Sequence, residues 1–345
     1  MHAAVAESTA ERALTELLER VAVRHPQISE RARAELDDTL SATRGSAIGE
    51  SAWHASCLTP SRYPVEVAFT SARAELRTVV DVVAPEDDRR GAFDAVVDTA
   101  ERFGAIRPRG RTTAALRAHH AAGALRFGAW LGSRHTEAGT RHKLYAELAP
   151  DQPDAWRMLD LLAPRAREVL GGTGVVRFVG LPLDGGDVVE VYMRPPWLDA
   201  ELLAAVLSRA GIPEATPSLV AAMTAGDPHG LAGPNHCLSA TFAGDDVVAV
   251  AGFTFAHHRY RRDHRVRAAV LQRAAREGWP SHGLYAAASA PLAVPRPLRR
   301  PVHTALSDVA LAAGGIEHHV GLAPPATPGG ASRIPTTTPT KEKES

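Results

Sequence analysis

Four pairs of short alternating segments, each pair closed by a turn-forming run and separated from the next by helical sequence, constrain this chain more than any other feature. Pro64-Val-Glu-Val-Ala-Phe69 and Leu76-Arg-Thr-Val-Val-Asp-Val-Val83 alternate at period two around the turn-like TSARAE. Ala124–Leu131 and Arg141–Leu148 form a second pair. Val175–Leu181 and Val188–Met193 flank Asp184-Gly-Gly-Asp187, and Cys237–Phe242 and Val247–Phe255 flank Ala243-Gly-Asp-Asp246. Both runs carry hairpin turn chemistry. Two more strands are expected at Leu284–Ala290 and His318–Leu322, with a helix over 298–313 between them. Further helices are read over 7–24, 27–43, Pro85 to Phe103, Asp151 to the Gly171-Gly172 stop, 199–210, 217–225 and 261–277.

Three assemblies of these elements compete. A parallel βαβ fold needs a helix after every strand, and the tight turns contradict it. A flat ten-stranded sheet leaves two long edges unpaired. Closing the sheet removes both edges and lets the helices cover its outside. The expected fold is therefore α+β, about ten antiparallel strands closed into a barrel within a ring of helices. Ten strands enclose more room than the eight whose side chains just fill an interior, so the barrel should hold a ligand.

Composition narrows the function classes. Acidic and basic residues balance at 39 each, so no net positive field draws nucleic acid, and none is expected as a partner. Cys57 and Cys237 give neither a disulfide framework nor a zinc pattern and read as reduced thiols of a cytoplasmic protein. The pairs His119-His120, His257-His258 and His318-His319 do not suit chelation of one ion, because strand neighbours face opposite sides. Glu86-Asp87-Asp88 reads as a helix N-terminus. No metal site is expected, and no G-x-S-x-G, P-loop or G-x-G-x-x-G occurs. The opening MHAAVAESTAERALTELLERV lacks a signal-peptide pattern, and no run approaches the roughly 20 apolar residues of a membrane span. Residues 323–345, rich in Pro, Thr and charge, are expected to be a disordered tail. One asymmetry stands out: 36 of the 39 basic residues are arginine, and Lys143 is the only lysine before the tail.

The strands also carry a set of residues in a telling order. Pro64-Val65-Glu66 lies on the first strand and Arg77 opens the second. Lys143-Leu144-Tyr145 lies on the fourth strand, and Tyr192 ends Val188-Val-Glu190-Val-Tyr192 on the sixth. With the repeated α–β–β–α order, this resembles the aromatic prenyltransferases of the ABBA type, in the branch similar to dimethylallyltryptophan synthases. The resemblance covers roughly residues 50–322. It implies N-terminal helices over 1–48 packed on a prenyltransferase barrel over 49–322. It also implies metal-independent transfer of a dimethylallyl or longer prenyl group from an allylic diphosphate to an indole or tryptophan-type acceptor. It implies further that no cofactor is required, that the partners are the prenyl diphosphate and a small aromatic acceptor, and that the protein is a monomer or homodimer.

The chemistry accounts for the residue types. Arg77 and Lys143 would hold the diphosphate, whose departure needs cations aimed at its oxygens. Tyr145 and Tyr192 would shield the allyl cation with their ring faces. Glu66 would accept the indole N–H and act as the catalytic carboxylate. Period two sets Lys143, Tyr145 and Glu147 on one strand face, and Glu66 with Ala68 on another. Lys143→Ala should then cost activity and leave folding nearly intact.

The sixth strand departs from the family pattern, because valine and glutamate stand at 188 and 190 where two cations are expected. Arg126 and Arg177 are candidates to replace them, and Tyr285 to complete a cage in which the eighth strand offers no tyrosine. An unpaired Glu190 would repel a diphosphate. The alternative function is therefore a degenerate barrel of the same fold that binds or isomerises a small aromatic metabolite without prenyl transfer.

Overall fold

A computed structural model of the chain describes residues 9–325 except 109, 150–154, 173, 225–230, 232, 234–235 and 296–299. The expected helix start at Asp151, the helix end at 225 and the tail from 326 onward lie outside the described residues.

Ten strands alternate with helices in five consecutive pairs: Val65–Thr70 (β1), Leu76–Val80 (β2), Ala129–His135 (β3), Thr140–Glu147 (β4), Val175–Pro182 (β5), Val188–Arg194 (β6), His236–Ala243 (β7), Asp246–Phe255 (β8), His303–Leu311 (β9) and Ile316–Leu322 (β10). Each pairs antiparallel with its sequence neighbours, and β1 pairs with β10, so the sheet closes into a barrel. The α+β barrel expectation is met. Turn chemistry does what the sequence asks of it: Ala243 faces Asp246 across a two-residue turn whose Gly244 takes φ 60, a left-handed conformation glycine adopts without strain.

Closure gives every strand two unlike faces. Val65, Val67 and Phe69 of β1, Leu131 of β3, Leu144 of β4, Val191 of β6 and Val250 of β8 are all buried on the outer face. They join the helices in one continuous hydrophobic core. Helix Pro26–Thr39 lies against β2 and β3, and Ala92–Arg102 against β3 and β4. The first helix, Thr9–Ala22, is tied down by Tyr63, whose hydroxyl donates to the Ala10 carbonyl at 2.5 Å. Glu35 reaches from its helix to the barrel wall, accepting from Ser133 of β3 and lying 2.9 Å from His142 Nε2 of β4. Among the described residues no helix is long and apolar enough to cross a membrane.

Two readings near the C-terminus are reversed. The segment expected as a strand from Leu284 forms the helix His282–Ala288, and the stretch expected as a helix over 298–313 contains β9. Helical propensity of HTALSDVAL is overridden because β8 and β10 each offer it a full ladder. Its inward residues, Ala305, Ser307 and Val309, are small, which hides the alternation that marks a strand. Leu284, Tyr285 and Ala288 are buried at helical spacing. The helix Arg111–Ala122 was not anticipated, and β3 begins at Ala129 rather than at 124. The chain turns just before it, at Gly128 with φ 73, where the N–H groups of Phe127 and Gly128 donate to the Glu147 carboxylate at 2.6 and 2.8 Å. The acidic run at 86–88 is also placed differently. Asp88 caps a short 3-10 turn at Arg90, and the helix itself runs Ala92–Arg102.

Phe69 is fully buried between barrel and helices and meets Tyr285 edge-on at 5.6 Å. Phe69→Ala is expected to lower stability by about 3–5 kcal/mol through lost burial and a cavity. Urea unfolding with an unchanged m-value would check it.

Candidate functional site

The inward face of the barrel lines a cavity of about 580 Å³. Glu66, Arg77, Lys143, Tyr145 and Tyr192 all line it. Strand parity and register bring them together. Glu66 stands opposite Val79 of β2, two residues on from Arg77, while Lys143 and Tyr145 alternate along β4. Glu147 continues that face but leaves the cavity, because the backbone amides before β3 take its carboxylate.

Three inward glycines seat three of these side chains. A Cβ at Gly132 of β3 would stand 2.5 Å from the Tyr145 ring, one at Gly180 of β5 would collide with Lys143 Cε, and one at Gly321 of β10 would lie 2.9 Å from Glu66 Oε1. Each functional side chain therefore leans sideways across a neighbouring strand, into space left by a missing side chain. Nothing in single-strand periodicity reveals such a seat.

Lys143 and Glu190 form an ion pair across the wall, with the Ser239 hydroxyl donating to Glu190 at 2.8 Å. Glu190, which would repel an anion if unpaired, is paired and so neutralised. Burial pushes its carboxyl up, but the Lys143 ammonium and hydrogen bonds from Lys143, Tyr192 and Ser239 outweigh this and hold it down at about 2. Burial likewise opposes the charge on Lys143, and Glu190 more than offsets it, so the amine is raised. The same ammonium lies 4.9 Å from the centre of the Tyr145 ring and 5.9 Å from that of Tyr192, a cation–π geometry at both. Tyr192 is itself held neutral, raised first by burial and then by Glu190.

Glu66 sits apart from these charges. Burial raises its carboxyl to about 7, and the nearby Thr304 hydroxyl pulls the other way. It can therefore be either a neutral donor or a charged acceptor near neutral pH.

The aromatic lining is fuller than the sequence suggests. Trp130 stacks on Phe178 at 4.7 Å, and Phe253 of β8 packs against Tyr192 at 5.7 Å. All three rings line the cavity. Phe253 supplies the ring on the eighth strand where no tyrosine occurs; the parity Ala249, Ala251, Phe253 is the signal that could have found it. Tyr285 does not contribute. It is buried on a helix outside the barrel, with its hydroxyl 2.9 Å from His303 Nε2.

Neither Arg126 nor Arg177 lines the cavity. Arg126 is exposed ahead of β3, over the Phe127 ring, and Arg177 stands at a register shift of β5, its charge acting on Glu147 and Cys237. Arg134 of β3 and Arg141 of β4 line it instead. The histidine pair of β10 divides as strand geometry demands. His319 lines the cavity, and His318 points outward to Asp308 at 2.6 Å. Among the described residues no group of three or more His, Cys, Asp or Glu is placed to hold a metal ion.

No protein-family model matches the chain, and no curated protein matches it. Solved structures do match in fold. The prenyltransferase PriB, in a ternary complex with L-tryptophan and dimethylallyl thiolodiphosphate, superposes with a TM-score of 0.74 at 19% identity, over 92% of this chain and 97% of that one. The 5-dimethylallyltryptophan synthase from Streptomyces coelicolor, in complex with DMASPP and Trp, gives 0.73 at 16% identity, over 98% and 100%. The 6-dimethylallyltryptophan synthase from Micromonospora olivasterospora, also with DMASPP and Trp, gives 0.72 at 18%, over 92% and 98%. The described part of the chain therefore has the ABBA prenyltransferase fold.

The inner ion pair corrects the expectation that Lys143→Ala is harmless to folding, because removal of the ammonium strands Glu190, whose side chain is only 17% exposed. Lys143→Met and Glu190→Gln are each expected to cost about 1–3 kcal/mol, and the double variant less than their sum. A urea double-mutant cycle reads the coupling. Glu190's share is complete above its ordinary value of 4.5 and is lost as pH falls toward 2.

Proposed function

We propose that this protein is an aromatic prenyltransferase, moving a dimethylallyl or longer prenyl group from an allylic diphosphate to an indole or tryptophan-type acceptor. The observation that carries the reading is the Lys143 ammonium resting over the faces of both Tyr145 and Tyr192 inside an aromatic-lined cavity. Two ring faces that already hold a cation are suited to an allyl cation in front of them. Tryptophan and an allylic diphosphate analogue bound to proteins of the same fold support the choice of substrates.

In this reading Arg77 and Lys143 bind the diphosphate. The allylic C–O bond breaks and its electron pair leaves on the diphosphate, where the cations stabilise it. A ring carbon of the acceptor attacks the cation among the aromatic faces of the cavity, where it is shielded from the water that would quench it. Glu66 accepts the indole N–H, so it fixes the ring's orientation and raises its electron density. The ring then loses the proton from the attacked carbon, and its electrons restore aromaticity. Glu66, with a pKa near 7, can take that proton in transit.

One observation favours the second reading, a barrel that binds or isomerises an aromatic metabolite without prenyl transfer: Glu190 occupies Lys143 where the expected pattern has a second cation. Incubation with dimethylallyl and longer allylic diphosphates against a panel of indoles, with and without EDTA, separates the two by product mass. A prenylated indole supports transfer; unchanged acceptor with measurable acceptor binding supports the second reading.

The pH profile offers a sharper check on Glu66. The carboxylate is the stronger N–H acceptor and the form that can take up a proton, and it forms as pH rises through about 7. kcat/KM should therefore rise across that pH and then level. Glu66→Gln should lose about a hundredfold or more and lose the rise. Stability should move the opposite way: between 4.5 and about 7 the folded chain keeps a proton that the unfolded chain has released, so stability falls as pH rises through that window.

A further inference from the structure

We propose that Arg134 and Arg141 extend Arg77 into a row of three guanidinium groups that cradles the donor's diphosphate and replaces the cations missing at Val188 and Glu190. The inference rests on the prenyl-transfer reading and adds to it where the leaving group sits.

Register sets the row. Arg77 of β2 lies directly opposite Arg134 of β3, and Arg134 directly opposite Arg141 of β4. All three line the cavity. Like charges directly opposite on neighbouring strands repel, so three in line are unfavourable unless something negative meets them. One carboxylate does so in part. Glu75, fully buried, takes Arg77 Nε at 2.6 Å and stands 3.4 Å from Arg134 Nε, while its second oxygen has no hydrogen-bond partner. Arg141 makes no ion pair among the described residues. Of the other acids in the lining, Glu190 is engaged by Lys143, Glu317 faces His319 at 3.6 Å and also feels the charge of Arg77, Asp184 accepts from the Gly186 N–H at 3.2 Å, and Glu66 lies near Thr304. Burial and the charge of Arg77 both push Arg134 below its ordinary value, the direction expected of a cation lacking its full complement of anions. Three guanidinium charges against Glu75 and a Glu317 shared with His319 still leave a surplus that suits a polyanion.

The row is also in the right place. Arg77 and Arg141 are each the second residue of their strands, and Arg134 is the last but one of β3, so all three stand near the hairpin-turn end of the barrel. Solvent reaches them: Arg77 is 22% and Arg134 37% exposed at the side chain. Along β4 the inward order is Arg141, Lys143, Tyr145. A diphosphate on the outer row would then place its allyl end past the Lys143 ammonium and against the tyrosine faces. Guanidinium forks match phosphate oxygens in pairs, which a point charge does not.

Inorganic pyrophosphate, titrated calorimetrically in EDTA, tests the row without turnover. Arg134→Gln and Arg141→Gln are each expected to weaken binding at least about tenfold, as for loss of a charge-assisted contact. Arg126→Gln and Arg177→Gln, which change the same charge outside the cavity, are expected to bind as wild type does. Thermal melting checks that each variant folds. Should Arg134→Gln unfold because it touches Glu75, Arg141→Gln decides alone. Wild-type affinity in Arg141→Gln, or no pyrophosphate binding by the wild type, overturns the proposal. So does a variant that loses tryptophan but keeps pyrophosphate, since that assigns the row to an acceptor carboxylate. The prenylation assay fails or succeeds separately: pyrophosphate bound by the row without any prenylated product refutes the transfer reading and leaves the row standing.

Discussion

The pairing of β1 with β10 is the contact on which the rest of the molecule depends. It satisfies two rows of backbone groups that an open ten-stranded sheet would leave bare. It also divides every strand between a helix-covered outside and a cavity. The closing pair builds part of the site directly, because Gly321 of β10 faces Ala68 of β1 and leaves the space that Glu66 fills. A carboxyl pressed against that seam is poorly hydrated, which is why its pKa rises to about 7.

Within the cavity the charges fall into two groups of different character. Lys143 and Glu190 cancel each other deep on the wall, and the aromatic faces of Tyr145 and Tyr192 share the ammonium. The arginines of β2, β3 and β4 do not cancel; they lie side by side with a single buried carboxylate between two of them. The inner pair holds Lys143 beside Glu190, whereas the outer row carries the larger uncompensated positive charge. Glutamate at 190 is therefore compatible with an anionic substrate, provided the substrate's charge is met on the opposite side of Lys143.

Much of the barrel was legible because hairpins are local. Turn residues such as Asp184-Gly185-Gly186 and Gly244-Asp245 mark their own positions, and strand alternation assigns each side chain a face. Legibility failed where the local signal was weak. In β9 the inward residues are Ala305, Ser307 and Val309, too small to stand out from their neighbours, and only the ladders to β8 and β10 make the segment a strand. The site followed the same rule. Parity together with the family resemblance pointed Glu66, Arg77, Lys143, Tyr145 and Tyr192 into one cavity, and all five line it. Phe253 and Trp130 share the inward parity of their strands, but no sequence motif singles them out. The glycine seats, the Lys143–Glu190 pair and the alignment of Arg77 with Arg134 and Arg141 needed the register between strands.

By itself the sequence determined the first four strand pairs and the alternation of faces within them, since these depend on turn conformation and a two-residue repeat within one segment; the fifth pair did not carry that signal. Tertiary structure alone decided which residues meet across strands. A charge such as Glu190 has no fixed meaning until its neighbour is known: the same carboxylate repels a diphosphate when alone and is silent when Lys143 lies against it. Register places that neighbour, and register is set by the closed ladder as a whole rather than by any segment within it.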